Sequence, residues 1–289
     1  MKKRIAYIGL LVFILMGQCI VASADTYKIF EQWGGGVEDA EKTPLNQDDD
    51  LMCWAAASAN MLKYSGWGNA MGSKAWADNG EDELFKYFQD HWTDNGGNIR
   101  YGIKWWFDGT YSGPSSSDWS VPDVPHTGFH SETDFLNSYG RSTTTTGDFL
   151  VNIDSHLREG SVVGLSVLGD RWNTFGHAIT CWGIETNAAG DYTGVYVSDS
   201  DDKKYLADAP DDLVFKNVSK VFMDIERSDG TSVNKEVWEI LDYSGSGYNA
   251  YIGEVHWLAA NPNPVPLPGS LVLLLTGLLP LGLRIRGRR

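Results

Sequence analysis

Apolar and polar positions change period near residue 160 of the chain. Before that point the spacing is helical. Met52-Cys53-Trp54-Ala55-Ala56-Ala57-Ser58-Ala59-Asn60-Met61-Leu62 sets Trp54, Ala57, Met61 and Leu62 at three- and four-residue intervals. It is also rich in alanine, the strongest helix former, so it predicts a buried helix. Asp50 is the expected N-cap and Gly66 the expected end. A short helix is predicted at Glu81–His91. A third is predicted at Asp148–Arg158, with Phe149, Leu150, Ile153 and Leu157 on one face and Gly160 just beyond. After it the period falls to two. Val162–Leu168, His177–Ile184, Val195–Asp199, Val218–Ile225, Val237–Leu241 and Tyr251–Leu258 read as strands. Helices first and strands later predict one α+β domain with an antiparallel sheet over residues 25–260. Residues 65–145 are rich in Gly, Ser, Asp and aromatics. Within them, Trp105-Trp106-Phe107 suits a core cluster better than a sugar-binding platform.

The two ends have a different pattern. In residues 1–24, Lys2-Lys3-Arg4 precedes an apolar run, Ile5–Met16, that is short for a membrane span. Ala22-Ser23-Ala24 then fits a small-x-small cleavage site before Asp25, and Cys19 leaves with the segment. This is the layout of a secretory signal peptide. In residues 261–289, a stiff Asn261-Pro262-Asn263-Pro264 linker leads to Val265-Pro266-Leu267-Pro268-Gly269-Ser270. An apolar stretch to Leu283 and the basic end Arg284-Ile285-Arg286-Gly287-Arg288-Arg289 follow. This tail resembles the PEP-CTERM sorting signal of Gram-negative bacteria, with Leu267 where the family usually has glutamate between prolines. The resemblance implies export by signal peptidase, transient membrane anchoring with the arginines in the cytoplasm, and cleavage by an exosortase. The product would reside at the cell surface, in the extracellular matrix or in the medium.

Charge narrows the partners. The 289 residues carry a formal net charge of −15, although seven of the basic residues sit in the two end segments. The body between them is more acidic still and repels phosphate backbones, which argues against a nucleic-acid partner. Three cysteines are too few for a disulfide framework, and neither C-x-x-C nor H-E-x-x-H occurs. No metal or cofactor is expected.

The remaining chemistry is one thiol, one imidazole and one carboxylate. Cys53 opens the predicted buried helix, where free N–H groups and the helix dipole favour a thiolate. His177 opens a predicted strand whose hairpin partner ends at Asp199. A turn centred on Ala188 sets His177 opposite Asp199; one centred on Ala189 selects Asp201 instead. The Ala188 register is the one expected, with Asp201 as the secondary acidic candidate. Cys181 shares the face of His177 but lies four residues along the strand, roughly 13 Å away, too far for a direct pair. It reads as a buried sheet residue, with a Cys53–Cys181 disulfide as an inactivating alternative after export.

These residues fall into ordered motifs. Lys42-Thr43, Asp48-Asp49-Asp50-Leu51-Met52-Cys53, Ala55-Ala56 and Asn60-Met61-Leu62 form the first. Glu159-Gly160 with Gly164-Leu165-Ser166 forms the second. His177, Trp182-Gly183, Tyr196-Val197-Ser198-Asp199-Ser200-Asp201 and Lys203-Lys204-Tyr205 form the third. Together they resemble the IdeS-like streptococcal IgG-degrading cysteine endopeptidases across residues 40–206, apart from 65–145. The resemblance implies a papain-like cysteine protease fold with Cys53 as nucleophile, His177 as general base and Asp199 as its orienting carboxylate. It implies Lys42 as the oxyanion-hole lysine, with one extra residue before the cysteine. Gln47, six residues before Cys53-Trp54, is a second oxyanion candidate by the spacing of papain-type enzymes.

The leading expectation is an exported cysteine endopeptidase acting through an acyl-enzyme on a protein or peptide. The immunoglobulin substrate is not carried over, because the substrate-facing segments diverge. Two alternatives stand beside it. One is a non-catalytic surface or biofilm-matrix protein binding polysaccharide through its aromatics, or calcium through Asp199–Asp202 with Asp208 to Asp212. The other is a papain-fold acyltransferase or amidase using the same three residues.

Overall fold

A computed structural model describes residues 24–42, 49–69, 81–114, 119–123, 126–143, 148–169, 176–201, 213–226, 231–243 and 249–262. Gln47, the acidic run Asp208 to Asp212, and most of the expected signal and sorting segments lie outside them. The helices are α1 Ile29–Trp33, α2 Cys53–Ser65, α3 Glu81–His91, α4 Ile99–Asp108, α5 Glu132–Ser138 and α6 Phe149–Arg158. The strands are β1 Asp25–Lys28, β2 Tyr139–Thr143, β3 Val162–Leu168, β4 Gly176–Thr186, β5 Tyr192–Ser198, β6 Val214–Glu226, β7 Ser232–Ile240 and β8 Ala250–Leu258.

The expected papain-like α+β fold is corrected. Among the described residues strand content exceeds helix content, 37% against 29%, and six antiparallel strands close into a barrel in the order β4-β3-β8-β7-β6-β5, with β5 returning to β4. Alternation of period two marks a strand but is silent on whether the sheet closes. Closure rests on the pairing of β3 with β8, from Val162↔Leu258 to Leu168↔Tyr251, far apart in sequence; the narrowest seam is the two pairs Glu239↔Tyr251 and Ile240↔Ala250 between β7 and β8. Two extra strands extend the wall. β1 continues the edge of β4 beyond β3, pairing Asp25–Lys28 with Gly183–Thr186. β2 continues the edge of β8 beyond β7, pairing Tyr139–Thr143 with Glu254–Leu258.

Helix α2 is buried on nearly every side, from Trp54 to Leu62, as an alanine-rich, all-round apolar helix must be. It lies against β3 and β4. Gly164 on β3 permits this, since a Cβ there would stand 2.7 Å from Met61 Sδ and 2.9 Å from Ile99 Cδ1. The first turn of α2 is locked in the same way. The Trp54 indole covers Gly97 so closely that a Cβ would meet its nitrogen at 2.3 Å. Its N–H donates to the Asn95 carbonyl at 3.2 Å. Truncating so large a buried ring costs about 3–5 kcal/mol. Gly66 ends α2 in the left-handed conformation at φ 78°. The expected N-cap is corrected: Met52 takes that position with no side-chain cap, and Asp50 lies further out in the preceding turn. Trp105, Trp106 and Phe107 are fully buried in α4, which places them in the core and away from any carbohydrate platform.

Candidate active site

Cys53 is the first residue of α2, so its backbone N–H has no partner within the helix. The thiol faces the start of β4, where the Ala178 backbone N–H and the His177 ring both hydrogen-bond to it. Helix and strands are held in register by a buried polar chain. Asn60 Oδ1 accepts the Ala40 N–H at 2.9 Å, and its Nδ2 donates to Thr180 Oγ1 on β4 at 3.1 Å. Trp182 Nε1 donates to Ser198 Oγ at 2.9 Å, and that hydroxyl donates to the Glu38 carbonyl at 3.0 Å. The segment before α2, the end of β5 and the start of β4 therefore meet at one point.

His177 Nε2 lies 2.6 Å from Asp199 Oδ1. With that nitrogen committed, Nδ1 is left to face Cys53, which also hydrogen-bonds the ring. Asp199 is the carboxylate that meets His177, but not through the register expected from the sequence. β4 and β5 pair Thr180↔Ser198, Cys181↔Val197 and Thr186↔Tyr192, with two shifts between. That is the register of a turn centred on Ala189, not Ala188, and continued to His177 it would select Asp201. The strand stops at Ser198 instead. Asp199 turns its carboxylate inward and accepts the Asp201 N–H at 3.0 Å, an Asx turn that brings Oδ1 to the imidazole.

Lys42 is buried beside the thiol. Its Nζ donates to the Asp50 carbonyl at 2.7 Å and pairs with Asp201 Oδ1 at 2.6 Å. Its backbone N–H donates to the Ser200 carbonyl at 3.1 Å. Asp201 thus serves Lys42, and its other oxygen stays 3.7 Å from His177 Nδ1. An ammonium has three donors, so one remains beyond these two contacts. Lys42, Cys53 and His177 all line one open cleft of about 790 Å³. Leu51, Trp119, Val167 and Leu168 supply apolar surface along it, and Asp201 and Glu254 supply carboxylates.

The electrostatics follow from these contacts. Burial works against charge on Cys53, but the His177 charge and hydrogen bond, the Lys42 charge and the Ala178 N–H outweigh it, and the thiol is held below its ordinary value. Burial likewise opposes charge on His177, and the Asp199 and Cys53 anions overcome it, so the imidazole is held well above 6.5. Asp199, also buried, is brought down to about 2 by His177, Tyr243 and the Asp201 N–H. The two coupled directions agree: each group favours the charged form of the other, and the contact is set for a thiolate–imidazolium pair. Cys181 is the contrast. It is fully buried, hydrogen-bonds only the Gly183 carbonyl among the described residues, and its thiol is pushed up to about 12. Both cysteines are free.

One residue escaped the sequence reading. Tyr243 O–H donates to Asp199 Oδ2 at 2.6 Å from the turn after β7. No local signal announces it, because the contact spans 44 residues and depends on how the barrel closes.

The side chains of His177, Asp199 and Asp201 place ligand atoms within 4.8 Å of one another, a donor set that could attract a cation. Their atoms are otherwise engaged. His177 Nε2 and Asp199 Oδ1 bond each other, and the Lys42 ammonium already stands on Asp201 Oδ1. A metal would have to displace a buried cation from its carboxylate. No protein-family model matches the chain, and no curated protein matches it.

Proposed function

We propose that the chain is an exported cysteine endopeptidase. One observation carries the reading: His177 lies between the Cys53 thiol and the Asp199 carboxylate, hydrogen-bonded to both, at the wall of an open cleft. A lone buried cysteine has no need of a charged partner, as Cys181 illustrates. The motif resemblance to IdeS-like endopeptidases supports the same three roles independently of the fold expectation corrected above.

In this reading the Cys53 thiolate attacks the carbonyl carbon of a peptide bond. The oxyanion forms beside the free Cys53 N–H and the remaining Lys42 donor. His177 gives its proton to the leaving amine, the C–N bond breaks and an acyl-enzyme remains. Water then attacks the thioester, His177 takes its proton, and the carboxylic acid and thiolate separate. Asp199 keeps the ring oriented and its charge compensated throughout.

Export rests on the two end segments. The mature chain runs from near Asp25, where β1 begins, to the Pro264–Pro268 motif. Intact mass of the secreted protein from an exosortase-competent host checks this; a mass retaining the apolar tail would count against sorting. The activity is tested by incubating the reduced, purified chain with denatured proteins and sequencing the new termini. Cleavage that iodoacetamide blocks is the expected result. An alkylatable Cys53 with no cleavage of any protein or peptide would overturn the endopeptidase reading in favour of acyl transfer or amide hydrolysis on another acceptor.

A further inference from the structure

The turn after β7 is built to hold one phenol. Leu241 N–H donates to the Asn217 carbonyl at 2.9 Å. Asp242 takes φ 47°, a left-handed conformation that side chains rarely adopt and aspartate tolerates better than most. Its N–H is received by Asn249 Oδ1 at 2.9 Å. Lys216 on β6 then grips the next residue twice: its Nζ donates to the Tyr243 carbonyl at 2.8 Å and stands 5.7 Å from the ring centroid. The result of this bracing is a buried Tyr243 whose hydroxyl meets Asp199 Oδ2 at 2.6 Å. The ring also lies 6.1 Å from the His177 imidazole, centroid to centroid.

We propose that Tyr243 is a positioning residue of the Cys53–His177–Asp199 site, holding the Asp199 carboxylate in the one rotation that keeps Oδ1 on His177. The inference rests on the thiolate–imidazolium reading above and deepens it. A carboxylate accepts bonds at two oxygens. With Oδ2 pinned by a neutral donor, Oδ1 has no freedom to leave His177. A phenol also suits the task better than an ammonium, which would neutralise the charge that His177 needs. Burial and the neighbouring Asp199 push the Tyr243 hydroxyl well above 10, so it remains a donor over the working range. The charged groups around the site are Cys53 from α2, Lys42 from the segment before it, Asp199 and Asp201 from the turn after β5, and Lys216 behind the Tyr243 ring.

Iodoacetamide alkylation of Cys53, followed across pH and mapped by peptide mass, tests this without knowledge of the substrate. The wild-type chain is expected to show a thiolate window opening below the range of an ordinary thiol. Tyr243→Phe keeps the ring and loses only the hydroxyl. It is expected to slow alkylation about tenfold at the plateau and to bring the alkaline limb down by about one pH unit, because the Asp199 carboxylate is no longer held with Oδ1 on the imidazolium. With a cleaved peptide in hand, kcat should fall and KM should hold, since Tyr243 does not line the cleft. In an Asp199→Asn background, Tyr243→Phe should have no further effect, because it acts through that carboxylate. If Tyr243→Phe does not fold, Asp242→Val, whose branched side chain resists the left-handed backbone, is expected to narrow the window in the same direction. A wild-type window in the folded variant, or an undiminished effect in the Asp199→Asn background, overturns the positioning role alone. An ordinary thiol profile in the wild-type chain overturns the thiolate reading of the site, and the role of Tyr243 with it.

Discussion

The barrel holds two buried histidines, each with a carboxylate and a tyrosine, and their surroundings push them in opposite directions. His256 is fully buried on β8. Its Nδ1 lies 2.7 Å from Tyr139 Oη, and its Nε2 lies 3.1 Å from Ser166 Oγ and 3.3 Å from Glu254 Oε2. A carboxylate beside Nε2 favours a proton there, so Nδ1 accepts the Tyr139 hydroxyl. Yet His256 is held below 6.5. Burial lowers it most, Glu254 raises it, and Arg141 and Arg100 lower it again. The Glu254 charge is shared: Arg141 Nη1 donates to it at 3.1 Å and Asn98 Nδ2 at 3.0 Å. Among the described residues, the donors to Asp199 besides His177 are neutral, namely Tyr243 and the Asp201 N–H. Lys42, on the other side of the site, is compensated by Asp201. Burial is common to both sites. What separates them is whether the carboxylate is free to give its charge to the histidine, and whether a second anion, Cys53, stands on the other side.

The largest break in this comparison is Cys53→Ala. It removes the nucleophile and one of the two anions that charge His177. Peptide cleavage should fall by at least roughly a thousandfold, with thermal stability nearly unchanged, since one sulfur at a helix start leaves little cavity. Cys181→Ala is the control: the same deletion on β4 should keep the activity. Loss of cleavage in both variants, or in neither, would take the nucleophile away from Cys53.

Next in size is Asp199→Ala. Without its orienting carboxylate, His177 should lose both its counter-charge and its fixed ring orientation. We expect kcat to drop about a hundredfold with KM little affected. Asp201→Ala should be milder, because that carboxylate bonds Lys42 and reaches His177 only at 3.7 Å. Steady-state kinetics on both folded variants decides the ranking. The reverse order would move the orienting role to Asp201.

The sequence foretold these two regions unequally. The strands from Val162 onward and the helix at Cys53 were legible because their hydrophobic period is set by which face is buried. Helix α4 was not. Gly102 sits in its middle, a residue costing about 1 kcal/mol relative to alanine, and it is there because a Cβ would stand 2.7 Å from the Trp54 ring. Tertiary packing overrode local propensity. Asp199 was legible as a candidate, but the reason offered was a register the protein does not use. The strand end at Ser198, which turns the carboxylate inward, has no signature in the alternation. Barrel closure and Tyr243 were illegible for one reason: both depend on which distant strands meet. The same holds for the His256 cluster, whose members come from the N-cap of α4, β2, β3 and β8.

The smallest effect addresses the His256 side through Glu254→Gln. Glu254 is half-buried, and its carboxyl is held at about 2 against an ordinary 4.5. Burial opposes this, and the His256, Asn98 and Arg141 contacts outweigh it. A carboxyl depressed by folding stabilises the native state fully above its unfolded pKa and loses that contribution as pH falls through the folded one. For Glu254 the window lies between about 4.5 and about 2. Glutamine keeps the shape and cannot titrate. The wild-type chain should therefore be more stable than Glu254→Gln by on the order of 2 kcal/mol at neutral pH. That gap should shrink as the pH is lowered below about 4.5. Asp199 titrates in the same direction at low pH, but it does so in both chains and cancels in the difference. Urea unfolding of the pair between pH 7 and pH 3 measures the gap directly. A constant gap would mean that Glu254 holds its place by packing alone. A gap that closes, with an unmoved alkylation window at Cys53, would establish that the two histidine sites titrate independently across one shared cleft.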